Sequence, residues 1–336
     1  MVNGGKIMNL IILERRKVLK LICWFMLAVL SAGVASQWSH TKRKLFGVRK
    51  GVTLEGESMA RLLPEEVKKV VTELAKLYSI EPRNAGYFPE PGEVIPEQDG
   101  RGVDIETTVA RILKAAPGEN VNLVTFAIPA TVGKDYFTPI FQGPSTHKRA
   151  SLTINVAWGE EELPEMLAIL KQQGVKATFF FDGDWVKKFP DFVRQISKDG
   201  HEVANHGLYH GHPAQMGRDE LRRLIVENYM LLKDVIGKEP AKLFAPPYGE
   251  FNEQIVSVAG NLGYRTIMWT IDTIDWKRPA PEVIFRRVVD KIKPGAIILM
   301  HPTVPTVVAL EGIIKTLKSQ GYSLVTVSQL LHEIDL

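Results

Sequence analysis

Residues 176–206 read KATFFFDGDWVKKFPDFVRQISKDGHEVANH, and this stretch decides the fold class. The aromatic run at 177–181 predicts a buried strand, and the short run at 202–204 predicts a second one. The amphipathic stretch between them ends at Gly200, as a helix commonly does. A strand, a helix and a strand in this order predict two parallel strands joined by a crossover helix.

The same alternation continues from Ser151 to the end of the chain. Amphipathic stretches separate seven strand-like runs, which occupy residues 152–157, 177–181, 202–204, 243–245, 265–271, 296–300 and 323–327. The pattern predicts an α/β fold of about seven parallel strands, either an incomplete (β/α) barrel or an open doubly wound sheet. Both folds place functional groups where the strands run into the following loops.

Polar residues recur at these predicted strand ends. They are Asn155, Asp182, His206, His210, Tyr248, Asp272, Asp275 and His301. Because the carboxyl ends of parallel strands meet at one edge of a sheet, we expect these side chains to converge. One such residue could be incidental, but their recurrence after successive strands predicts a functional site.

His206 and His210 have the i, i+4 spacing that turns two imidazoles the same way on a helical turn. Two neutral imidazoles suit Zn²⁺, and also Ni²⁺ or Co²⁺. Surface or capping histidines explain most such spacings. The position of this pair directly after a strand favours metal binding.

Asp275 and His301 form a candidate acid–base pair. A carboxylate beside an imidazole favours the protonated ring, which can protonate a leaving amine. The alternative is that Asp275 caps a turn and His301 is a satisfied loop residue. The residues alone leave both interpretations open.

Five short motifs follow one another in the C-terminal half. They are KATFF at 176–180, GHEVANH at 200–206, PPYG at 246–249, DTIDW at 272–276 and LMH at 299–301. This series resembles that of the polysaccharide deacetylases (NodB homology, carbohydrate esterase family 4), and in detail that of their sporulation-associated members in spore-forming bacteria. The resemblance covers about residues 150–336. It implies an incomplete (β/α) barrel and removal of acetyl from N-acetylglucosamine or N-acetylmuramic acid units.

The resemblance also implies roles for single residues. His206 and His210 match the two histidines that hold a divalent metal, for which zinc is the first candidate. Asp275 and His301 match the tuned acid of the family. The positions that match pocket walls are Pro247, Trp276 and Tyr248, with the backbone amide of Tyr248 at the oxyanion position.

The first strand departs from the family pattern. Active relatives read Thr-Phe-Asp-Asp-Gly or Asp-x-Asp, where this chain reads NVAWG at 155–159. Asn155 therefore takes the position of the catalytic base, and Val156 or Ala157 takes that of the metal carboxylate. An amide cannot accept a proton from water near neutral pH, and Val and Ala offer no ligand atom. Ala245 replaces the arginine that orients the base in relatives.

These departures predict a divalent metal that is bound weakly or not at all, because two histidines without a carboxylate are an incomplete ligand set. Asp182 and Asp184 are the nearest candidates for a substitute ligand. A solvated loop carboxylate or a helix N-cap is the alternative explanation of both.

The N-terminal segment carries the positive charge of the chain. Residues 1–50 hold ten Lys or Arg and one acid, which leaves 32 basic and 37 acidic residues in the remainder, so no nucleic-acid partner is expected. Basic residues precede an apolar run at 21–35, whose length is typical of a signal peptide. We predict that residues 1–47 are a signal peptide or an N-terminal membrane anchor, cleaved or not. The rest of the chain would then be extracytoplasmic, either secreted or membrane-anchored.

Residues 48–138 are predicted to form a small α+β module, and residues 139–150 a linker to the deacetylase-like domain at 151–336. Motifs such as PRNA at 82–85 and IPE at 95–97 resemble a peptidoglycan-binding module of cell-envelope proteins. A spacer without a ligand is the alternative.

Three functions follow from these observations. The first is an extracytoplasmic pseudoenzyme of the deacetylase family, weakly active or inactive, that binds cell-wall glycan, peptidoglycan or a partner during envelope or spore assembly. The second is a working metal-dependent N-deacetylase with substitute ligands, and the third is an amidohydrolase that opens cyclic amides. The replaced base and metal carboxylate favour the first.

Overall fold

The fold is that of a computed structural model, which describes residue 38, residues 40–88 and residues 92–332. The apolar run at 21–35, on which the predicted signal peptide or anchor depends, lies outside the described residues. In the part of the chain that is described, no helix has the length and apolar character needed to cross a bilayer.

Two compact units make up the described chain, and they alternate along the sequence. The first consists of the described parts of Met1–Pro82 and Asp99–Pro129, and the second of those of Arg83–Gln98 and Ala130–Leu336. The module predicted at 48–138 therefore contributes residues to both units.

Short strands and α-helices occupy the first part of the chain, after a helical stretch at 40–46. They are β1 (Thr53–Leu54), β2 (Glu57–Ser58), α1 (Pro64–Tyr78), β3 (Gly86–Phe88), β4 (Glu93–Ile95), β5 (Gly100–Val103), α2 (Ile105–Lys114), β6 (Asn120–Val121) and β7 (Thr125–Ile128).

The core of the first unit lies between α1, α2 and the short strands. Val67 and Val71 on one turn of α1 pack in one cluster with Val109 and Ile112 of α2, as their helical spacing predicts. β1 pairs antiparallel with β2 and parallel with β6, while β5 pairs antiparallel with β7. The Asp104 side chain accepts a hydrogen bond from the Thr107 N–H at 2.9 Å and so caps the start of α2.

Strands and helices alternate through the rest of the second unit. They are β8 (Arg149–Val156), α3 (Leu163–Gln172), β9 (Thr178–Phe181), α4 (Gly183–Lys188), α5 (Pro190–Lys198), β10 (Glu202–Asn205), α6 (Arg218–Ile236), β11 (Leu243–Phe244), α7 (Glu253–Asn261), β12 (Arg265–Thr266), β13 (Ile271–Asp272), α8 (Pro281–Val289), β14 (Ala296–Met300), α9 (Val304–Ser319), β15 (Ser323–Leu324) and α10 (Val327–Leu331). Short 3₁₀ turns lie at Lys134–Phe137, Pro213–Gln215, Pro247–Gly249 and Asp275–Lys277.

A parallel sheet organises this unit. The hydrogen-bonded order is β12-β11-β10-β9-β8-β14-β13, and β15 also pairs with β8. Each of these pairings is parallel. The seven strands along this path confirm the predicted incomplete (β/α) barrel.

One predicted strand is divided in two. The run at 265–271 forms β12 and β13, and the backbone between them pairs with a residue of the predicted linker. Ile140 forms a parallel bridge with Ile267, accepting a hydrogen bond from the Met268 N–H and donating its own N–H to the Thr266 carbonyl. The sequence could not predict this contact, since the two segments are far apart in the chain.

Both faces of the central strands are buried, as expected for a parallel sheet covered by helices. Ile154 and Val156 of β8 pack in the same cluster as residues of α3 and α9. Asn155 lies between them and is in register with Phe180, which belongs to a separate cluster on the inner face. Because side chains alternate along a strand, Asn155 faces the inside of the half-barrel.

Candidate active site

A cavity of about 370 Å³ lies at the carboxyl ends of the strands, where the sequence predicts the site. Seven predicted site residues line it, namely Asn155, His206, His210, Tyr248, Asp272, Trp276 and His301. Trp158, Gly249, Trp269 and Leu299 complete the lining. Of the remaining predicted residues, Asp275 contacts His301, while Pro247 and Asp182 do not line the cavity.

Asn155 brings a buried amide into the cavity. Only 5% of its surface is exposed, and its Oδ1 has no hydrogen-bond partner among the described residues. Val156 is fully buried in the outer core and does not line the cavity. Ala157, the residue after β8, does not line the cavity either. Ala157 lies in the bend directly after β8, where the alternation of the strand has ended.

His206 and His210 lie close together after β10. Their ring centroids are 5.1 Å apart, and His206 is 2% exposed. The His206 Nδ1 lies 2.7 Å from the carbonyl oxygen of Ala245. Because a carbonyl only accepts hydrogen bonds, Nδ1 carries the hydrogen and Nε2 keeps the lone pair. The position of Ala245 therefore fixes the tautomer of His206.

Both of these histidines favour the neutral form. Burial is the main cause that lowers the pKa of His206 to about 3, and the neighbouring His210 acts in the same direction. Burial also lowers the pKa of His210, and nearby His301 acts in the same direction. The two rings therefore offer uncharged nitrogens to a metal or a ligand near neutral pH.

Two buried asparagines fix the backbone around His206. The Asn205 Oδ1 accepts hydrogen bonds from the Gly207 N–H and from the Asn228 side chain, each at 2.8 Å. The Asn228 Nδ2 also donates to the Phe181 carbonyl at 2.9 Å, linking α6 to β9. Asn228 was not predicted from the sequence, where the available signal was an amide on the apolar face of a helix.

Asp275 and His301 form the predicted pair. The Asp275 side chain is fully buried, and its Oδ1 lies 2.8 Å from the His301 Nδ1. Its Oδ2 accepts hydrogen bonds from the His301 backbone N–H at 2.6 Å and from the Thr306 hydroxyl at 2.7 Å. One carboxylate oxygen thus orients the His301 ring, and the other holds the His301 backbone and Thr306. Thr306 was not predicted from the sequence, since its contact joins the turn after β13 to the start of α9.

Trp158 covers one face of His301. The rings are stacked with centroids 5.6 Å apart and planes 9° apart. The next residue, Gly159, has φ +84°, and a Cβ there would lie 2.3 Å from the Pro302 carbonyl oxygen. Glycine at 159 therefore permits the close approach that brings Trp158 against His301. Sequence analysis did not assign Trp158 or Trp269 to the pocket wall.

Tyr248 sits in a strained turn at the cavity mouth. Its φ of +59° is uncommon for a residue with a bulky side chain, and such backbone conformations concentrate at functional sites. The ring lies 4.4 Å from that of His210 and stacks on His212 at 4.2 Å, with 56% of the residue exposed. Trp276, in the turn after β13, is 53% exposed.

Asp182 occupies a different environment from the cavity residues. It is buried, and its Oδ1 accepts a hydrogen bond from the Trp185 N–H at 3.1 Å, which caps α4. Its Oδ2 has no partner among the described residues. Burial raises the pKa of this carboxyl to about 6. The helix cap is thus present, while a role as metal ligand stays a prediction.

The residues present do not make a complete site for a catalytic metal. Catalytic zinc sites use three protein ligands and leave one position open. Within 40–88 and 92–332, no group of three or more His, Cys, Asp or Glu side chains is arranged to hold an ion. His206 and His210 supply two nitrogen donors, and Asn155 could add only a neutral amide oxygen, which is a weaker ligand than a carboxylate.

Two family models match the chain. The polysaccharide deacetylase model matches residues 142–267, and the model described as "Putative peptidoglycan binding domain" matches residues 29–123. Together they cover the region that precedes the half-barrel and the half-barrel from β8 to β12.

Individual relatives match over larger parts of the chain. Uncharacterized protein YlxY of Bacillus subtilis is 37% identical over 258 residues, which are 76% of this chain and 80% of YlxY. A peptidoglycan-N-acetylglucosamine deacetylase of Bacillus cereus is 35% identical over 197 residues, covering 57% of this chain and 71% of the relative.

Solved structures of one protein resemble most of the chain. Wild-type BA3943 of Bacillus anthracis, described as a CE4 family pseudoenzyme, is 38% identical with a TM-score of 0.58, covering 79% of this chain and 95% of that one. A BA3943 mutant described as having restored enzymatic activity is 37% identical with the same TM-score, covering 79% and 98%. With the half-barrel and its motif series, these relationships show that this chain belongs to the polysaccharide deacetylase family of carbohydrate esterase family 4, with a domain of the peptidoglycan-binding type before the deacetylase domain.

Proposed function

We propose that this chain is an extracytoplasmic polysaccharide or peptidoglycan deacetylase-family protein whose catalytic site is degenerate. It is weakly active or inactive as a hydrolase, and it binds glycan during assembly of the cell wall or the spore envelope. The observation that carries this proposal is Asn155, a buried amide at the position of the base in a cavity that is otherwise well formed.

The loss of activity follows from what Asn155 cannot do. General-base assistance is typically worth about 10²–10⁴-fold, and an amide has no basic group to supply it. The incomplete ligand set compounds the loss, because water that no metal activates keeps its ordinary high pKa, whereas a catalytic metal lowers that pKa to about 7. Each deficiency alone would slow hydrolysis, and both occur at the same strand end.

The capacity to bind is supported by the parts of the cavity that are retained. Trp158, Tyr248 and Trp276 are exposed aromatic residues that line one cavity. Exposed apolar groups gathered at a cavity mark ligand-binding sites. Asp275 still orients His301, so a polar group remains fixed beside these walls.

Similar proteins support the same proposal. BA3943 is described as a pseudoenzyme, and a mutant of it as having restored activity, so loss of activity by substitution has a precedent in a similar protein. The Bacillus cereus relative is named for peptidoglycan N-acetylglucosamine, which supports a cell-wall glycan as the ligand.

We expect the purified full-length chain to retain well under one equivalent of zinc after dialysis, because it lacks a third strong ligand. Metal content is measured by mass spectrometry on wild type, on His206→Ala and on the control His212→Ala. Stoichiometric zinc in wild type would contradict the prediction. If Asp182→Ala then removed that zinc, Asp182 would be the substitute ligand.

The proposed extracytoplasmic location rests on the basic residues near the N-terminus and on the apolar run at 21–35 that follows them. We expect the half-barrel domain of the full-length chain to be degraded by protease added to intact protoplasts, while a cytosolic marker survives. Protection until the membrane is lysed would place the domain inside and contradict the proposal.

A further inference from the structure

We infer that the helical stretch at 40–46, together with Trp38, lies on the surface of an anionic lipid bilayer and holds the first unit against it. The inference rests on the proposed function, in which the chain before this stretch brings the protein to the membrane. It assigns a lipid partner to a surface that the proposed glycan site does not use.

Three large apolar side chains are exposed on this stretch. Trp38, Leu45 and Phe46 are 70%, 71% and 66% exposed. Leu45 and Phe46 follow Trp38 by seven and eight residues, which is about two helical turns, so the three side chains share one side of the helix. A single exposed apolar side chain needs no explanation, but a contiguous apolar face marks a contact with a partner or a membrane.

The other side of the stretch packs on the first unit. The Arg43 guanidinium donates two hydrogen bonds to the Glu66 carboxylate of α1, at 2.7 and 2.6 Å. A Cβ on Gly47 would lie 2.9 Å from the Arg61 carbonyl oxygen, so the backbone approaches closely there. Val48 is 3% exposed and belongs to the core cluster of this unit. These contacts fix the stretch with its apolar face outward.

The charge around the apolar face identifies the partner. Residues 38–50 contain five Lys or Arg and no acid. Lys44 and Lys50 are exposed, and neither forms an ion pair within the described residues. A helix with an apolar face, flanking basic residues and a tryptophan has the pattern of helices that lie in the interface of anionic lipids. Tryptophan itself is enriched at the level of the lipid headgroups.

The position of the face in the chain supports the same partner. Trp38 follows the end of the apolar run at 21–35 by three residues. An uncleaved run in the bilayer would bring the face directly to the headgroups. After cleavage, the face would be the contact that keeps the first unit at the membrane.

Spin labelling of the full-length chain in lipid vesicles tests the inference. A nitroxide is attached at Leu45→Cys, or at the control Leu77→Cys, in a Cys23→Ser background, since Cys23 is the only cysteine of the chain. Leu77 is also exposed and lies near the end of α1. In vesicles of equimolar phosphatidylglycerol and phosphatidylcholine, we expect the label at 45 to lie about 5–10 Å deep, more accessible to oxygen than to a water-soluble nickel chelate. The label at 77 should stay in water.

Two changes test the role of charge. Vesicles of phosphatidylcholine alone should return the label at 45 to water, and so should Lys44→Glu combined with Lys50→Glu, because interfacial binding depends on attraction to anionic lipids. The control combines Lys69→Glu with Lys114→Glu, which changes the net charge equally at exposed positions elsewhere in the first unit. It should leave the label immersed. Circular dichroism checks that each variant is folded.

Three outcomes would overturn the inference. The first is equal accessibility of the two labels in the anionic vesicles. The second is dipolar broadening between labels at 45, which would identify a second copy of the chain as the partner. The third is immersion that neither the neutral lipid nor the lysine variant reduces. Protection of the half-barrel in protoplasts would instead contradict the proposed location, and label depth in vesicles does not depend on it, so the two failures are distinguishable.

Discussion

Replacing Asn155 and Ala157 together by Asp should raise acetate release from an N-acetylglucosamine oligomer by about 10²–10⁴-fold when zinc is supplied. Asp at 155 supplies a base at the inner face of β8. Asp at 157, in the bend directly after β8, would take the position that resembles the metal carboxylate of the family and should add that ligand to His206 and His210. The double variant would then have the base and the three-ligand set that wild type lacks.

The single variants should achieve little. Asn155→Asp alone gains a base, but water that no metal activates keeps its ordinary high pKa and gives up a proton poorly. Ala157→Asp alone should raise zinc affinity yet leave no group to take the proton. The gain in acetate release from the double variant should therefore be much larger than the gains of the two single variants combined, as is usual for residues that act as a unit.

Two further variants test the geometry of this prediction. Val156→Asp combined with Asn155→Asp is the matched control, because Val156 packs in the outer core and a carboxylate there should destabilise the fold without reaching the cavity. Ala245→Arg should help only in the repaired background, where there is a base to orient. Equal activity of the two double variants, Asn155→Asp with Val156→Asp and Asn155→Asp with Ala157→Asp, would contradict the assignment of the metal carboxylate to position 157. Zinc binding without acetate release by the 155/157 pair would show that the pocket itself has diverged.

Asp275→Ala should lower the free energy of unfolding by about 3–5 kcal/mol, the usual cost of removing one partner of a buried, hydrogen-bonded charge pair. The Asp275 carboxylate is fully buried and accepts hydrogen bonds from the His301 N–H, the His301 ring and the Thr306 hydroxyl. Removing it leaves these donors without their acceptor in a buried place, which costs more than the hydrogen bonds themselves contribute.

Urea denaturation followed by circular dichroism measures this effect. The matched control is Asp184→Ala, since Asp184 is exposed and pairs only with the exposed Lys187. Such surface pairs contribute about 0–1 kcal/mol, so this variant should unfold close to wild type. A change of under about 1 kcal/mol for Asp275→Ala would contradict the view that this carboxylate organises the His301 loop.

The strand and helix pattern predicted the half-barrel because parallel strands and their crossover helices have strong local signals. The aromatic run at 177–181 and the stop at Gly200 predicted β9 and one crossover helix from local signals alone, and the structure divides that helix into α4 and α5. As the convergence of carboxyl ends predicts, seven of the predicted site residues line one cavity. Their roles in binding and chemistry stay predictions.

Contacts between distant segments could not be read from the sequence. Tyr87 of the β3–β4 hairpin exchanges two hydrogen bonds with Asn261 at the end of α7, although 174 residues separate them. Two further contacts also join residues that are far apart in the sequence, namely Ile140 with Ile267 and Thr306 with Asp275. Such contacts depend on how elements pack, and local periodicity carries no information about it.

The most direct test of the account is acetate release by the wild-type, full-length chain. It is assayed on N-acetylglucosamine oligomers and on peptidoglycan, with zinc, nickel or cobalt added, beside an equal amount of the Bacillus cereus peptidoglycan-N-acetylglucosamine deacetylase. The account predicts a rate at least about 10²-fold below that of the Bacillus cereus enzyme with every metal. Comparable rates of the two proteins would contradict it, because a chain with Asn155 in place of the base would then be a working deacetylase.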